Sequence, residues 1–358
     1  LMIKKLDKYI LKKFLGTFFL TIFLFILIAV VFDISEKIDD FEQFTLGEII
    51  FDYYFSFIPW LYNLLTPLLA FIAVVYFTSK MAGKTEIIPI LASGISYNRF
   101  LRPYFLGATL LFFLSLILSH FLIPITNKKK IEIEAKIYPH TRRINNSKIH
   151  REIAKNTFIY VNNYSIKSDN GYKFRLEKIV DGQLLYQFTA SNLKWSSKKN
   201  KWIARNWSER TIDGDHEILT QGTIKDTILP FNNTEFHRSP FEIETMDFFD
   251  INGYIEQEKQ RGSSYLGRYQ LELVKRTSNP FSILILVIIA VCISSRKIKG
   301  GTGMHIAKGL ALALIFVFFG RIADVIAVNT PIPAIVALWI PNLVFTIVAF
   351  YIYKTAPK

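Results

Sequence analysis

The chain reads as a polytopic α-helical membrane protein, with six transmembrane helices in a 3+3 arrangement and an all-β domain inserted between the halves. Three observations predict this. Six apolar runs are each close to the roughly 20 residues of helix that cross a hydrocarbon core. They lie three before and three after a polar stretch from about Lys128 to Arg268, which is as large as an ordinary soluble domain. The 358 residues are 51% hydrophobic, with a mean hydropathy of +0.27, an excess that belongs to the two ends and not to the middle. The expected divisions are 1–127, 128–268 and 269–358.

Lys4, Lys5, Lys8, Lys12 and Lys13 precede the first span, about Phe14 to Phe32. Such a start is like the basic region of a signal peptide, but the apolar run is too long and no small-residue cleavage site follows, so a retained helix is expected. Asp33, Glu36, Asp39 and Asp40 then read as a solvated acidic loop. The second span runs from about Phe55 to Phe77 and contains Pro59 and Pro67, which membrane helices tolerate when neighbours satisfy the freed carbonyls. The third runs from about Tyr104 to Ile123. The fourth, Pro280 to Ser294, is short and should continue outward through Leu271 to Thr277. Met304 to Val328 and Ile332 to Tyr353 complete the set.

Charge in the short loops sets orientation. The N-terminal lysines, Lys80, Lys84, Arg99 and Arg102, the trio Arg296, Lys297 and Lys299, and the tail lysines Lys354 and Lys358 fall on one side, which is therefore cytoplasmic. The opposite short loops, Asp33 to Asp52 and Asn329 to Pro333, are acidic or nearly uncharged. The insert is thus extracytoplasmic, and its own lysines do not count because long domains escape the rule. The net charge of +14 fits cytoplasmic anchoring and contact with anionic lipid better than nucleic acid, which is not an expected partner. Cys292 stands alone in an apolar run, so it forms no intrachain disulfide.

Within the insert, Phe158 to Val161, Tyr172 to Leu176, Leu184 to Thr189, Leu193 to Trp195, Trp202 to Trp207 and Glu217 to Thr220 read as short strands. Turn signals at Asp169 to Gly171, Asp181-Gly182, Ser196 to Asn200 and Asp213-Gly214 separate them. That rhythm predicts an antiparallel sandwich or jelly roll. Trp195, Trp202 and Trp207 read as aromatics packed between strands in preference to a ligand-stacking surface. Asp247 to Gln260 reads as a helical connector.

Catalytic signals are scarce. The glycines at Gly300 to Gly303 lack phosphate-loop spacing, and His120, His140, His150, His216, His237 and His305 show no ligand spacing, so neither a bound nucleotide nor a metal is expected. Two places carry more. In Lys84 to Gly94, Ile87, Ile90 and Leu91 describe a short amphipathic helix that Gly94 ends. Such a helix either lies at the membrane interface or docks in a groove of a soluble partner. Arg321 and Asp324 sit in the outer half of the fifth span. They read either as a mutual ion pair or as a guanidinium facing the acidic headgroup of a lipid. Lys128, Lys129 and Lys130 form a basic rim beyond the third span.

The whole layout resembles the LptF/LptG-type (YjgP/YjgQ-like) lipopolysaccharide export permeases. The resemblance rests on the 3+3 topology, Leu6-Asp-Lys-Tyr-Ile10, Glu86 followed by Ala92-Ser93-Gly94, Tyr269, Glu272, Arg276 and Pro280-Phe281, and Trp339-Ile-Pro341-Asn342. The opening looks more like the LptG half. It implies a periplasmic β-jellyroll, a second permease of the same type, an LptB-like cytoplasmic ATPase dimer, an LptC/LptA-like periplasmic bridge, and lipopolysaccharide as cargo. Glu86 to Gly94 would be the coupling helix, and ATP and Mg would be used by the partner ATPase, with no cofactor on this chain. Arg321, Lys128, Lys129 and Lys130 would meet lipid headgroups. The family often has a basic residue near the outer end of span one, where this chain has Asp33 and Glu36, with Lys37 the nearest candidate. Rival readings are a membrane sensor or assembly protein displaying the β-domain, a lipid-modifying enzyme, and a secondary transporter. The last lacks paired acids at the midplane.

Overall fold

A computed structural model describes residues 4–137, 147–214, 216–233, 236, 242–263, 265–296 and 301–356. Lys297, Lys299, Gly300, His140, His237 and Lys358 lie outside the described residues. The chain forms two compact units: Leu1–Ile137 with Glu244–Phe248 and Gln270–Lys358, and Tyr138–Ile243 with Phe249–Tyr269.

The first unit is helical. Helix α1 spans Lys5–Phe41, α2 Phe55–Gly83, α3 Ile87–Ala92, α4 Tyr97–Ile117 and α5 Ile123–Ile137. Among the described residues, six helices are long and apolar enough to cross a membrane. Prolines shape the second and third. Pro124 has no N–H for the carbonyl of His120, and the helix loosens into a π turn at Leu118–Leu122 just before it. A second π turn, Glu48–Tyr54, leads into α2, where Thr66 donates to the Tyr62 carbonyl at 2.6 Å beside Pro67.

Two helices run further than hydropathy predicts. Asp33 to Asp40 belong to α1 and not to a loop, and Lys128 to Lys130 lie inside α5. No glycine or proline interrupts either stretch, and the i,i+4 pairs Asp33–Lys37 and Lys130–Glu134 support the extra turns.

The core of this unit is an aromatic and aliphatic seam. Phe14, Phe18 and Ile22 recur every four residues along α1 and bury one stripe against Leu69 to Val75 of α2 and Phe100, Tyr104, Ala108 and Leu111 of α4. Gly107 lets α1 approach, since a Cβ there would stand 2.6 Å from the Phe14 ring. The opposite face of α1, with Leu20, Phe23, Leu27 and Val31, is exposed, as befits a helix solvated by lipid.

The second unit is all-β apart from short helical pieces. Strands β1 Ser147–Ala154, β2 Thr157–Ser165, β3 Asn170–Val180, β4 Gln183–Ser196, β5 Lys201–Asp213 and β6 His216–Thr227 pair in sequential order, every neighbour antiparallel. The expected sandwich or jelly roll is therefore an inserted β domain whose hydrogen-bonded sheet is one continuous meander, because short turns join each strand to the next. Asp181 and Gly182 both take positive φ (50° and 79°), as a two-residue hairpin turn requires. The segments at Leu184 and Leu193 are a single strand, since Ala190 still pairs with Trp207.

Ile159, Val161, Phe174, Phe188, Trp202 and Phe236 form the β core. Trp202 is fully buried and donates from Nε1 to the Phe231 carbonyl at 3.0 Å, while Trp195 meets it edge-on at 5.0 Å. Trp207 also packs partly buried against this core, so the tryptophans are packing residues here, the reading preferred over a ligand-stacking surface. Helix α6 Asp250–Gln260 follows, then α7 Leu266–Ser294, α8 Gly301–Asn329 and α9 Ala334–Lys354.

One ionic contact in the sheet makes stability depend on pH. Lys225 donates to Glu209, and Tyr186 donates to the same carboxylate at 2.8 Å. The Lys225 contact holds the Glu209 carboxyl below the usual glutamate range, against the opposing effect of burial. A carboxyl depressed in the folded state stabilises above its unfolded pKa, about 4.3, and loses that contribution as pH falls through the folded value. Glu209→Gln should therefore cost about 1 kcal/mol near pH 7 and measurably less near pH 3. Thermal melts of the full chain at both pH values check this, and a pH-independent difference would refute it.

Candidate functional site

Helix α3, in the link between the second and third spans, is the first candidate. Thr85, with φ of 58°, turns the chain after α2, and Ser93 N–H closes the last turn on the Pro89 carbonyl at 2.9 Å. Gly94 takes φ of 84°, the left-handed C-terminal position its place in the sequence predicts. The apolar triplet does not face outward. Ile87 is 2% exposed, and Ile90 and Leu91 pack partly buried against the transmembrane core. The exposed side is Ile88 (60%), with Pro89, Ala92, Ser93 and Gly94. Glu86 is half-buried at the N-cap. Periodicity alone missed Ile88, because apolar residues occupy both sides of this short helix.

Arg321 lies on α8 beside a cavity of about 290 Å³ within the helical unit, lined by Pro67, Lys275, Asn279, Phe316, Arg321 and Asn342 among others. The ion pair foreseen with Asp324 is present but loose, at 3.6 Å. Asp324 is engaged more closely by Lys275, at 2.7 Å, a partner that sequence spacing does not reveal. The Arg321 side chain stays 70% exposed.

The other basic candidates are not gathered with it. Lys37 is buried, bonded to Asp33 and, at 2.5 Å, to the Tyr53 hydroxyl. Its ammonium is thus committed to the bundle. Lys129 pairs with Asp52 at 2.5 Å, and Lys130 lies over the Trp60 ring at 4.3 Å near Glu134. Lys128 is exposed on α5.

The two proline-bearing motifs interlock. Phe281, next to Pro280 in α7, meets Trp339 of α9 at 5.0 Å, and Asn342, next to Pro341, donates from Nδ2 to the Ser278 carbonyl at 2.9 Å. A polar side chain thus serves backbone near a helix-interior proline, as a low-dielectric setting demands. Arg276, one turn away, is 4% exposed and bonds Glu272 at 3.3 Å and the Met246 carbonyl at 2.7 Å. Among the described residues, no three His, Cys, Asp or Glu side chains gather to hold a metal.

The family model for the lipopolysaccharide export system permease LptF/LptG matches residues 8–355. The chain belongs to that family. The LptF/LptG match covers both transmembrane halves and the β domain, so the interlocked proline motifs and α3 all fall inside it. It embraces the two subunit types together. As an LptF/LptG permease the chain is a multi-pass transport subunit and not itself a catalyst. No individually curated protein matches the sequence.

Proposed function

We propose that this chain is one permease half of an ATP-driven exporter. It would take lipopolysaccharide from the outer leaflet of the inner membrane and pass it through its periplasmic β domain to an LptC/LptA-like bridge. A second LptF/LptG-type permease completes the cavity, and the opening Leu6-Asp-Lys-Tyr-Ile10 favours the LptG half for this chain. An LptB-like ATPase dimer, which uses ATP and Mg, docks on α3 at the cytoplasmic side, where both termini lie. Extraction needs this drive because each methylene exposed to water costs about 0.8 kcal/mol.

Arg321 is the observation that carries the reading. A guanidinium on an apolar helix, with the neighbouring carboxylate engaged by Lys275, keeps a cation available for an acidic headgroup. Arg321→Glu should lower the lipopolysaccharide reaching the cell surface at least tenfold, equivalent to about 1.4 kcal/mol, while protein abundance stays within about twofold. Arg321→Lys should keep much of the transport. Pulse-labelled export measured beside immunoblotted abundance decides it, and equal falls in both would make Arg321 a structural residue only.

A further inference from the structure

A second cavity of about 540 Å³ opens at the other end of the helical unit, where α4 begins and α7 and α9 end. Its walls are apolar, with Leu101 and Phe105 from α4, Val291 from α7, and Thr346 and Phe350 from α9, and one cation, Arg102, stands among them. Phe105 and Phe350 are about half exposed at its rim. None of these residues belongs to α3, to the Arg321 cavity or to the proline motifs.

The charges at this end are unevenly used. Asp7, the acid with which Arg102 interacts electrostatically, is held by both terminal nitrogens of Arg99, at 2.7 and 2.5 Å. Asn98 and Tyr353, also on the cavity wall, bond each other. Arg102 has no hydrogen bond or ion pair among the described residues. Lys354 adds a second cation, its ammonium 4.6 Å from the centre of the Phe350 ring.

We propose that this groove seats one anionic glycerophospholipid, an acyl chain lying against Leu101, Val291 and Thr346 and the phosphate meeting Arg102, with Lys354 beside it. An acyl chain gains little by leaving bilayer for an apolar groove, so shape alone cannot hold a particular lipid there. The headgroup makes the selection. Guanidinium matches a phosphate with two parallel hydrogen bonds, and basic pockets between transmembrane helices are where anionic headgroups bind. A zwitterionic lipid brings its own ammonium to the same place and forfeits part of that attraction.

The test is native mass spectrometry of the purified full chain in mild detergent. It is titrated with dioleoylphosphatidylglycerol or with dioleoylphosphatidylethanolamine, which share their acyl chains. The expected result is one tightly held anionic lipid, bound at least about tenfold more strongly than the zwitterionic one. Arg102→Gln should erase that difference and Arg102→Lys should keep most of it. Thr346→Trp, at a bilayer-exposed position, should weaken both lipids by filling the groove. Each variant is first matched to the parent in elution profile and thermal midpoint. Equal binding of the two lipids by the parent overturns the proposal, as does anionic binding untouched by Arg102→Gln or by Thr346→Trp. Binding in detergent does not depend on which leaflet the groove faces, so this result stands apart from the orientation of the termini.

Discussion

Arg276→Ala is expected to cost the chain about 3–5 kcal/mol, the range for breaking a buried ionic contact and leaving its partners behind. The side chain is 4% exposed, and it donates both to Glu272 on its own helix and to the Met246 carbonyl. Truncation would strip the half-buried Met246 carbonyl of this donor. Glu272 keeps 30% of its side-chain surface exposed, so Glu272→Gln should be much milder, within about 1 kcal/mol. Arg276→Lys should fall between, because an ammonium cannot span both partners as a planar fork does. Thermal unfolding in detergent, followed by size-exclusion of the surviving fraction, ranks the three. A ranking with Glu272→Gln as the most damaging would mean that the ion pair, and not the Met246 contact, carries the effect.

That contact also marks a limit of what the sequence can tell. Arg276 and Glu272 stand one helical turn apart and can be read as a pair, whereas Met246 lies 30 residues away in a segment with no regular pattern. The six spans were legible because length and hydropathy are summed over about 20 residues, and single exceptions do not erase the signal. Their ends were not. Charges at Asp33 to Asp40 and Lys128 to Lys130 look like loop, yet paired charges four apart extend a helix as readily as they leave one. Strand β1 escaped for a different reason: Ser-Lys-Ile-His-Arg-Glu-Ile-Ala has neither the apolar run that reveals β2 nor the alternation that reveals β3. At Arg321 the local partner Asp324 was readable, but Lys275 on another helix was the nearer cation to that acid.

Helix α3 allows the sharpest separation of folding from coupling, because two adjacent isoleucines face opposite ways. Ile87→Asp would bury a carboxylate against the transmembrane core, where Ile87 is 2% exposed, and should reduce folded protein severely, by about 3 kcal/mol or more. Ile88 is 60% exposed and leaves no gap in the core when replaced, so Ile88→Asp should leave stability within about 0.5 kcal/mol. In the proposed exporter the same side chain is covered by the ATPase. A carboxylate desolvated at the centre of an interface costs as much as losing a hot-spot residue, about 2–4 kcal/mol, or at least a thirtyfold loss of affinity. Ile88→Asp should thus give a full yield of folded permease that no longer retains the ATPase in a detergent pull-down, and cells that no longer export lipopolysaccharide. Ile87→Asp should give too little folded chain to ask. If Ile88→Asp keeps its ATPase, the exposed side of α3 is not the docking face, and the helix serves only to lie against the membrane surface.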